Sequence, residues 1–262
     1  MSPTVAAANF IAAARRARAP LTALPENLAP QSEAEGYRIQ HAVHDLLSSD
    51  YGPKVGHKIG CTSAVMQQYL RIPHPCSGGV FRNGIHPSGA MLRHDDFVRV
   101  GVECEIAVRL GRDLEPSEAP FTADSVAQAI EAYLPAIEIV DDRYADWLSI
   151  GAPTLVADDF FAAGCVLGPP VSRASAPDLL QLTGRALING VEAGRGTGAD
   201  VLGHPHHALA WFANHLAADG HGVRAGEFVL TGSLVQTLWL GAGDLAVMDL
   251  SGLGAVAVEF GR

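Results

Sequence analysis

Residues 98–110 read VRVGVECEIAVRL. Val98, Val100, Val102, Cys104, Ile106, Val108 and Leu110 alternate with the remaining positions, which predicts a β-strand with one apolar face and places Glu103 and Glu105 together on the other. At a rise of ~3.3 Å per residue their Cα atoms lie roughly 6.5 Å apart, so the two charges repel unless a cation or a proton lies between them. Two settings fit. The pair can line the solvated face of an antiparallel strand with Arg99 and Arg109 as partners, or it can hold a cation. A third acid, Glu138, interrupts the apolar run YLPAIEIV of residues 133–140, where an unpaired buried carboxylate is costly. The stretch 122–134 predicts a helix, so Glu138 follows it on a strand or a loop. Three carboxylates from two stretches suit Mg²⁺ or Mn²⁺, hard cations that take oxygen ligands and leave positions for water or substrate.

The 262 residues are long enough for one large domain or for a small helical part attached to a larger one, and a hydrophobic content of 48% supports a buried core. We divide the chain into a helical part with the first strands, 1–85, and a strand-rich catalytic part, 86–262, acting as one functional unit. Eighteen Lys plus Arg against 28 Asp plus Glu give a net charge of −10, which argues against nucleic acid or an anionic membrane as partner. Asn9, Arg15, Arg16 and Arg18 divide the Ala-rich start, and no apolar run is long enough to span a bilayer, so a cytoplasmic protein is expected. Cys61, Cys76, Cys104 and Cys165 are scattered and form no CxxC pair, which fits reduced thiols better than disulfides or a zinc site.

Residues 5–18 predict an amphipathic helix stopped near Pro20. Ser32 and Glu35 form a capping box for a second helix, whose apolar positions Ile39, Ala42, Val43, Leu46 and Leu47 recur until residues 48–52. Strands are expected at 54–59, 79–81 and 98–110, a helix from Pro205 closed by Gly220, and terminal strands at 227–231, 234–240, 245–250 and 255–260. The pattern is α+β: a helical N-terminal part followed by a curled, mostly antiparallel sheet system. No GxGxxG or GxxxxGK[ST] phosphate loop is present.

Four further motifs each allow two readings. Lys58, in GHKIGCTS, is either a surface lysine or a desolvated one with a lowered pKa, useful in proton transfer. Asp141, Asp142, Arg143 and Asp146 form a loop ion-pair group or a second metal site. Gly203, His204, Pro205, His206 and His207 begin a helix, where capping, packing or substrate contact competes with metal ligation. The glycines of GRGTGADVLGHP, residues 194–205, serve turns or offer N–H groups to an anion.

Lys58 in KIGCTS, Glu103 and Glu105 in VECEIAVRLGRDL, Glu138 in PAIEIVDDRYADW, GRGTGADVLGHP and GEFVLTGS together resemble the 2-keto-4-pentenoate hydratase and 4-oxalocrotonate decarboxylase group of the fumarylacetoacetate hydrolase superfamily. The blocks run in order along nearly the whole chain. The resemblance implies a mixed β-roll of the fumarylacetoacetate hydrolase C-terminal-domain type, a Mg²⁺ or Mn²⁺ held by Glu103, Glu105 and Glu138, and Lys58 near a small 2-oxo acid substrate. It also implies a homo-oligomer, and association with a related pathway enzyme. The activity it implies is a lyase working through an enolate, hydration of a 2-hydroxy-dienoate first and decarboxylation second, with a C–C hydrolase or a non-catalytic, metal-stapled supporting subunit as alternatives. Cys76, Phe161, Gly203 and His204 fall at positions expected to touch substrate. Two of these depart from the pattern: Cys76 stands where many relatives have the Asp of PDxG, and Phe161 stands where relatives tend to have the Ser of ADNxS. A thiol is a poorer acid and a phenyl ring offers a carboxylate no hydroxyl. The departures imply a more apolar pocket, for a 2-oxo acid with a less polar tail, or loss of the parent reaction.

Overall fold

The computed structural model describes residues 2–63, 66–68 and 71–262. Helix α1 (Pro3–Ala17) starts where the Ser2 side chain accepts the Val5 N–H and stops at Arg18, whose φ of 50° breaks the helix two residues before Pro20. It buries Ala7, Ala8, Ile11 and Ala12. Helix α2 (Glu33–Tyr51) is capped by Ser32, whose hydroxyl accepts the Glu35 N–H at 3.3 Å. Glu35 reaches back to the Gln31 N–H at 2.7 Å, one residue beyond the reciprocal partner of a capping box.

The strands, in chain order, are β1 (Lys54–Gly60), β2 (Cys76–Phe81), β3 (Ile85–Pro87), β4 (Ala90–Arg93), β5 (Val100–Leu110), β6 (Ile130–Asp141) and β7 (Ala162–Leu167). They continue with β8 (Val171–Ser172), β9 (Thr183–Ile188), β10 (Val191–Thr197), β11 (Phe228–Ser233), β12 (Leu238–Trp239), β13 (Leu245–Leu250) and β14 (Gly254–Gly261). A nine-stranded sheet has the main order β2-β1-β11-β5-β6-β7-β3, with β12 and β8 pairing beside β5 and β6; a five-stranded sheet runs β10-β9-β13-β14-β4. Most pairings are antiparallel, while β1–β11, β3–β7 and β4–β14 are parallel. Strands β1 and β2, from the helical first part, lie in the larger sheet, so that part and the rest share one backbone ladder.

Strands β5 and β6 pair along nearly their whole length, with Glu103 opposite Glu138. Their two faces differ. Val100, Val102, Cys104, Ile106, Val108 and Leu110 of β5 join Ile137 and Ile139 of β6 and Met248, Val256, Val258 and Phe260 of the smaller sheet in the main core. Each fully buried side chain of this size contributes about 1.5–3 kcal/mol. On the other face Ala107, Leu134, Ala136, Cys165, Phe228 and Leu230 form a second apolar cluster. The alternation of a strand puts Glu103, Glu105 and Glu138 on that second face. A third cluster joins α1, α2 and the short helix α4 (Ala152–Ala157) to Cys61, Cys76 and Phe160.

Two expected elements are shorter than their sequence patterns. The helix expected over 122–134 is only α3 (Ala123–Ala127), capped by Thr122, and the chain turns into β6 at Ile130. Ala129, Glu131 and Ala132 favour helix, but pairing with β5 buries Ile130, Ala132, Tyr133 and Leu134, and this tertiary gain outweighs a weak local preference. Of the strand expected over 234–240 only Leu238–Trp239 pairs. Helix α5 (Pro205–Ala218) and the strands β13 and β14 lie where the periodicity puts them. Among the described residues no helix is long and apolar enough to cross a membrane.

Candidate metal centre

The three glutamates converge. Carboxylate oxygens of Glu103, Glu105 and Glu138 all lie within 4.8 Å of one another, and among the described residues they are the one group of three His, Cys, Asp or Glu side chains so placed. Glu105 is 0% and Glu138 1% exposed, while Glu103 is half-buried at the rim. The Glu103 carboxylate accepts the Thr237 hydroxyl. Glu105 Oε2 accepts the Gly232 N–H at 2.8 Å. Gly232 sits in an irregularity of the β11–β5 pairing at φ +119°, and a Cβ there would lie 2.2 Å from Thr62 Oγ1. Only glycine lets the chain turn this N–H toward Glu105.

Lys58 comes from β1, is 3% exposed, and its Nζ lies 2.9 Å from Glu138 Oε1. Even so, Glu105 Oε1 and Glu138 Oε2 receive no hydrogen bond, and Glu138 Oε1 meets Lys58 alone. Burial pushes the Glu138 carboxyl up to about 7 against the pull of Lys58, with Glu103 adding to the rise. Burial and the charges of Glu138 and Glu103 drive Glu105 well above the usual carboxylate range. Of the two readings of Lys58, a surface lysine or a desolvated one with a lowered pKa, the structure shows the burial but the opposite shift. Burial alone lowers the ammonium, but the charges of Glu138 and Glu103 outweigh burial and raise it. One buried cation thus faces three acids. Buried oxygen donors lacking partners, beside excess negative charge, fit a hard divalent cation and not a soft one.

Arg99 and Arg109, the partners required if Glu103 and Glu105 faced solvent, point elsewhere. Arg99 pairs with Asp142 at 3.3 Å and covers the Trp239 ring, and Arg109 pairs with Glu131 at 2.9 Å. At the end of β6 Asp141 Oδ1 accepts the N–H groups of Val98 and Arg99, and beyond it Asp142 pairs with Arg99 and Arg143 with Asp158, so the motif holds ion pairs.

Cys76 is buried opposite Gly60 at the start of β2. A hydrogen bond with Cys61 and burial push its thiol far up, so it is no proton donor near neutrality. Phe161 is half-buried and packs edge-on to Tyr144, Trp147 and Phe160. It is Phe160 whose ring lies over Lys58, with Nζ 5.8 Å from its centroid. His204 caps α5, its Nδ1 accepting the His206 N–H at 2.9 Å, and His206 meets the Tyr133 hydroxyl at 2.7 Å. Gly203, at φ +79°, follows Leu202, whose N–H donates to the Thr62 carbonyl. In the glycine-rich stretch a Cβ at Gly196 or Gly198 would lie 1.9 Å from the carbonyl oxygen of Leu234 or Leu179, so close backbone packing accounts for both. Sequence reasoning missed Gly232, Thr237, Thr62 and Phe160 as neighbours of the acids and Lys58. The GEFVLTGS block pointed at Gly232 without revealing its contact.

The chain is similar to known proteins along most of its length. Residues 81–260 match the family described as Fumarylacetoacetate (FAA) hydrolase C-terminal, a stretch that holds all three glutamates and begins after Lys58. The chain is 33% identical over 247 residues to the 2-hydroxyhexa-2,4-dienoate hydratase of Comamonas testosteroni, covering 94% of this chain and 91% of that one. It is 33% identical over 257 residues to the 2-keto-4-pentenoate hydratase of Paraburkholderia xenovorans, covering 97% and 93%. Among solved structures it is similar to the 4-oxalocrotonate decarboxylase from Pseudomonas putida G7 complexed with magnesium and adipate, with a TM-score of 0.92, 26% identity, and coverage of 98% and 97%. The paired strands that carry the acids are therefore those of a known fold, and this chain belongs to the fumarylacetoacetate hydrolase family.

Proposed function

We propose that the chain is a metal-dependent hydro-lyase that adds water to a 2-hydroxy-dienoate, the enol form of a 2-keto-4-pentenoate-like acid, with Glu103, Glu105 and Glu138 as ligands of Mg²⁺ or Mn²⁺. The hydratase names of relatives that span nearly the whole chain support the reaction class. The carrying observation is the set of buried carboxylate oxygens without hydrogen-bond partners. A divalent cation held there supplies positive charge to the carboxylate and keto oxygens of a 2-oxo acid and stabilises the negative charge that develops when the carbon acid ionises. Lys58 stays an ammonium in this field of acids, 2.9 Å from Glu138, and would hold a proton and a positive charge beside the substrate as it changes between enol and keto forms. The hydrophobic cluster of Ala107, Leu134, Ala136 and Leu230 on the same face limits water around the acids. We read residues 1–85 and 86–262 as one functional unit, since Lys58 comes from the first and the glutamates from the second. We also read the two sheets as the β-roll that the resemblance implies.

A second reading, decarboxylation of a 2-oxo acid, is favoured by the likeness in fold to a magnesium-complexed 4-oxalocrotonate decarboxylase. Both outcomes use the same developing negative charge. The test is ultraviolet loss of 2-hydroxypenta-2,4-dienoate with Mg²⁺ or Mn²⁺, run beside CO₂ release from 4-oxalocrotonate. Hydration should require metal and fall at least about 100-fold in Glu138→Gln. Full hydratase turnover in EDTA would overturn the proposal, and CO₂ release without hydration would select the second reading.

A further inference from the structure

The chain through β11 and β12 leaves the β5 ladder twice, each time beside a glutamate. Leu230 stands opposite Ala107 and Ser233 opposite Glu105, three steps of chain against two. From Ser233 opposite Glu105 to Leu238 opposite Val102 it takes five steps against three. Extra residues of this kind form bulges that re-aim the groups they carry. The first turns the Gly232 N–H onto Glu105 Oε2 at 2.8 Å, and the second returns with the Thr237 hydroxyl on Glu103 Oε1. Glycine at 101 admits the returning segment, because a Cβ there would lie 2.9 Å from both Thr237 Cγ2 and Trp239 Cε3. Lys58 does the same for the third acid, its Nζ 2.9 Å from Glu138 Oε1. One oxygen of each carboxylate is thereby engaged. The other, Oε2 of Glu103, Oε1 of Glu105 and Oε2 of Glu138, takes no hydrogen bond from an N–H or O–H group among the described residues.

We infer that Thr237 is a positioning residue of the metal centre, which holds Glu103 to one free oxygen and so tunes the site to an octahedral cation, Mg²⁺ or Mn²⁺, against Ca²⁺. The inference rests on the reading that the three glutamates bind a divalent cation. One free oxygen from each acid fills half of an octahedral shell, the geometry Mg²⁺ demands, whereas Ca²⁺ takes about six to eight oxygens and accepts a carboxylate through both of its oxygens at once. Glu103 is the acid that needs the restraint. Glu105 and Glu138 are locked by burial, but Glu103 is half-buried at the rim, and the Thr237 hydroxyl is its one hydrogen-bond partner among the described residues. Without that hydroxyl its carboxylate gains the freedom to swing into water, a loss for the ion that demands fixed geometry, or to turn both oxygens on one ion, an arrangement that suits Ca²⁺.

The test is calorimetric titration of the metal-free full chain with Mn²⁺ and with Ca²⁺, in wild type, Thr237→Val and Thr237→Ser. Val keeps the methyl that packs over Gly101 and deletes the hydroxyl, whereas Ser keeps the hydroxyl. Thr237→Val should weaken Mn²⁺ about 10-fold or more, the usual cost of losing a group that orients a metal ligand, and leave Ca²⁺ within about threefold. Thr237→Ser should bind both ions within about threefold of wild type. Unchanged Mn²⁺ affinity in Thr237→Val overturns the inference, and so does equal weakening of both ions, because loss of structure would weaken both. Thr237→Ser as weak for Mn²⁺ as Thr237→Val overturns the part given to the hydroxyl. Each of these results leaves the metal centre standing as long as wild type binds Mn²⁺. If wild type binds neither ion, the metal-centre reading falls and takes the inference with it.

Discussion

Replacing Glu105 by Gln should stabilise the metal-free protein and abolish its response to metal. At an effective dielectric of about 20, two like charges 4.8 Å apart repel by about 3.5 kcal/mol, and Glu105 faces both Glu103 and Glu138 at or within that distance. Lys58 offsets part of this. Gln preserves the oxygen that accepts the Gly232 N–H. A net gain of about 2–4 kcal/mol follows at pH 8, a rise in Tm of about 4–8 °C for a chain of this length. Metal reverses the ranking. Wild type at 100 times the Kd for Mg²⁺ gains about 2.7 kcal/mol, near 5 °C, whereas the variant should gain about 1 °C or less. The folded-state pKa of Glu105 is raised, so the strain in wild type is present at high pH and relieved as pH falls through the folded value and the group protonates. Glu138, pushed up to about 7, loses its charge over the same fall, so the gap between the two proteins should narrow from pH 8 to pH 6. Thermal melts in EDTA and across a Mg²⁺ series at both pH values make the check. A variant less stable than wild type in EDTA, or equal metal shifts in the two, would refute the reasoning.

Lys58→Met leaves Glu138 buried with no cation, which should cost metal-free protein about 3–5 kcal/mol, be largely restored by Mg²⁺, and abolish turnover; metal-free and metal-loaded melts with activity assays check this. His57 is held down to about 4 by burial, so its contribution to stability is complete above its unfolded pKa and lost as pH falls toward 4, a change of about 3 kcal/mol. Urea unfolding from pH 7 to pH 4 should show a shallower slope in His57→Gln, and an unchanged slope would assign the loss to other groups. Gly232→Ala should destabilise the fold by about 2–4 kcal/mol and weaken Mg²⁺ binding, because the new Cβ would collide with Thr62 and displace the N–H from Glu105. Calorimetry showing unchanged metal affinity would remove Gly232 from the account.

The acids were legible because they break a rule locally. Glu103 and Glu105 share one face of a strict alternation, and Glu138 stands in an apolar run. Both signals are contained within a dozen residues. The ends of β6 and β12 were not, since they depend on pairing with β5: Ala129–Ala132 composition favours helix, and residues 235–237 look like strand but leave the ladder. Thr237, from that irregular segment, reaches the Glu103 carboxylate, a contact 134 residues apart in sequence. The direction of the Lys58 shift was not legible for a related reason. Its burial could be read from its neighbours, but the acids that outweigh burial arrive from β5 and β6. The departure at Phe161 was visible in the sequence, whereas the placing of Phe160 over Lys58 was not, because it depends on a left-handed turn held by Arg15, His44 and Gly79.

The most direct measurement is a crystal structure grown with Mn²⁺ and solved with anomalous data at the manganese edge. The account predicts a peak bound by carboxylate oxygens of Glu103, Glu105 and Glu138, with water in the remaining positions. A peak elsewhere, carboxylates pointing apart, or a coordination sphere completed by protein atoms alone would contradict it.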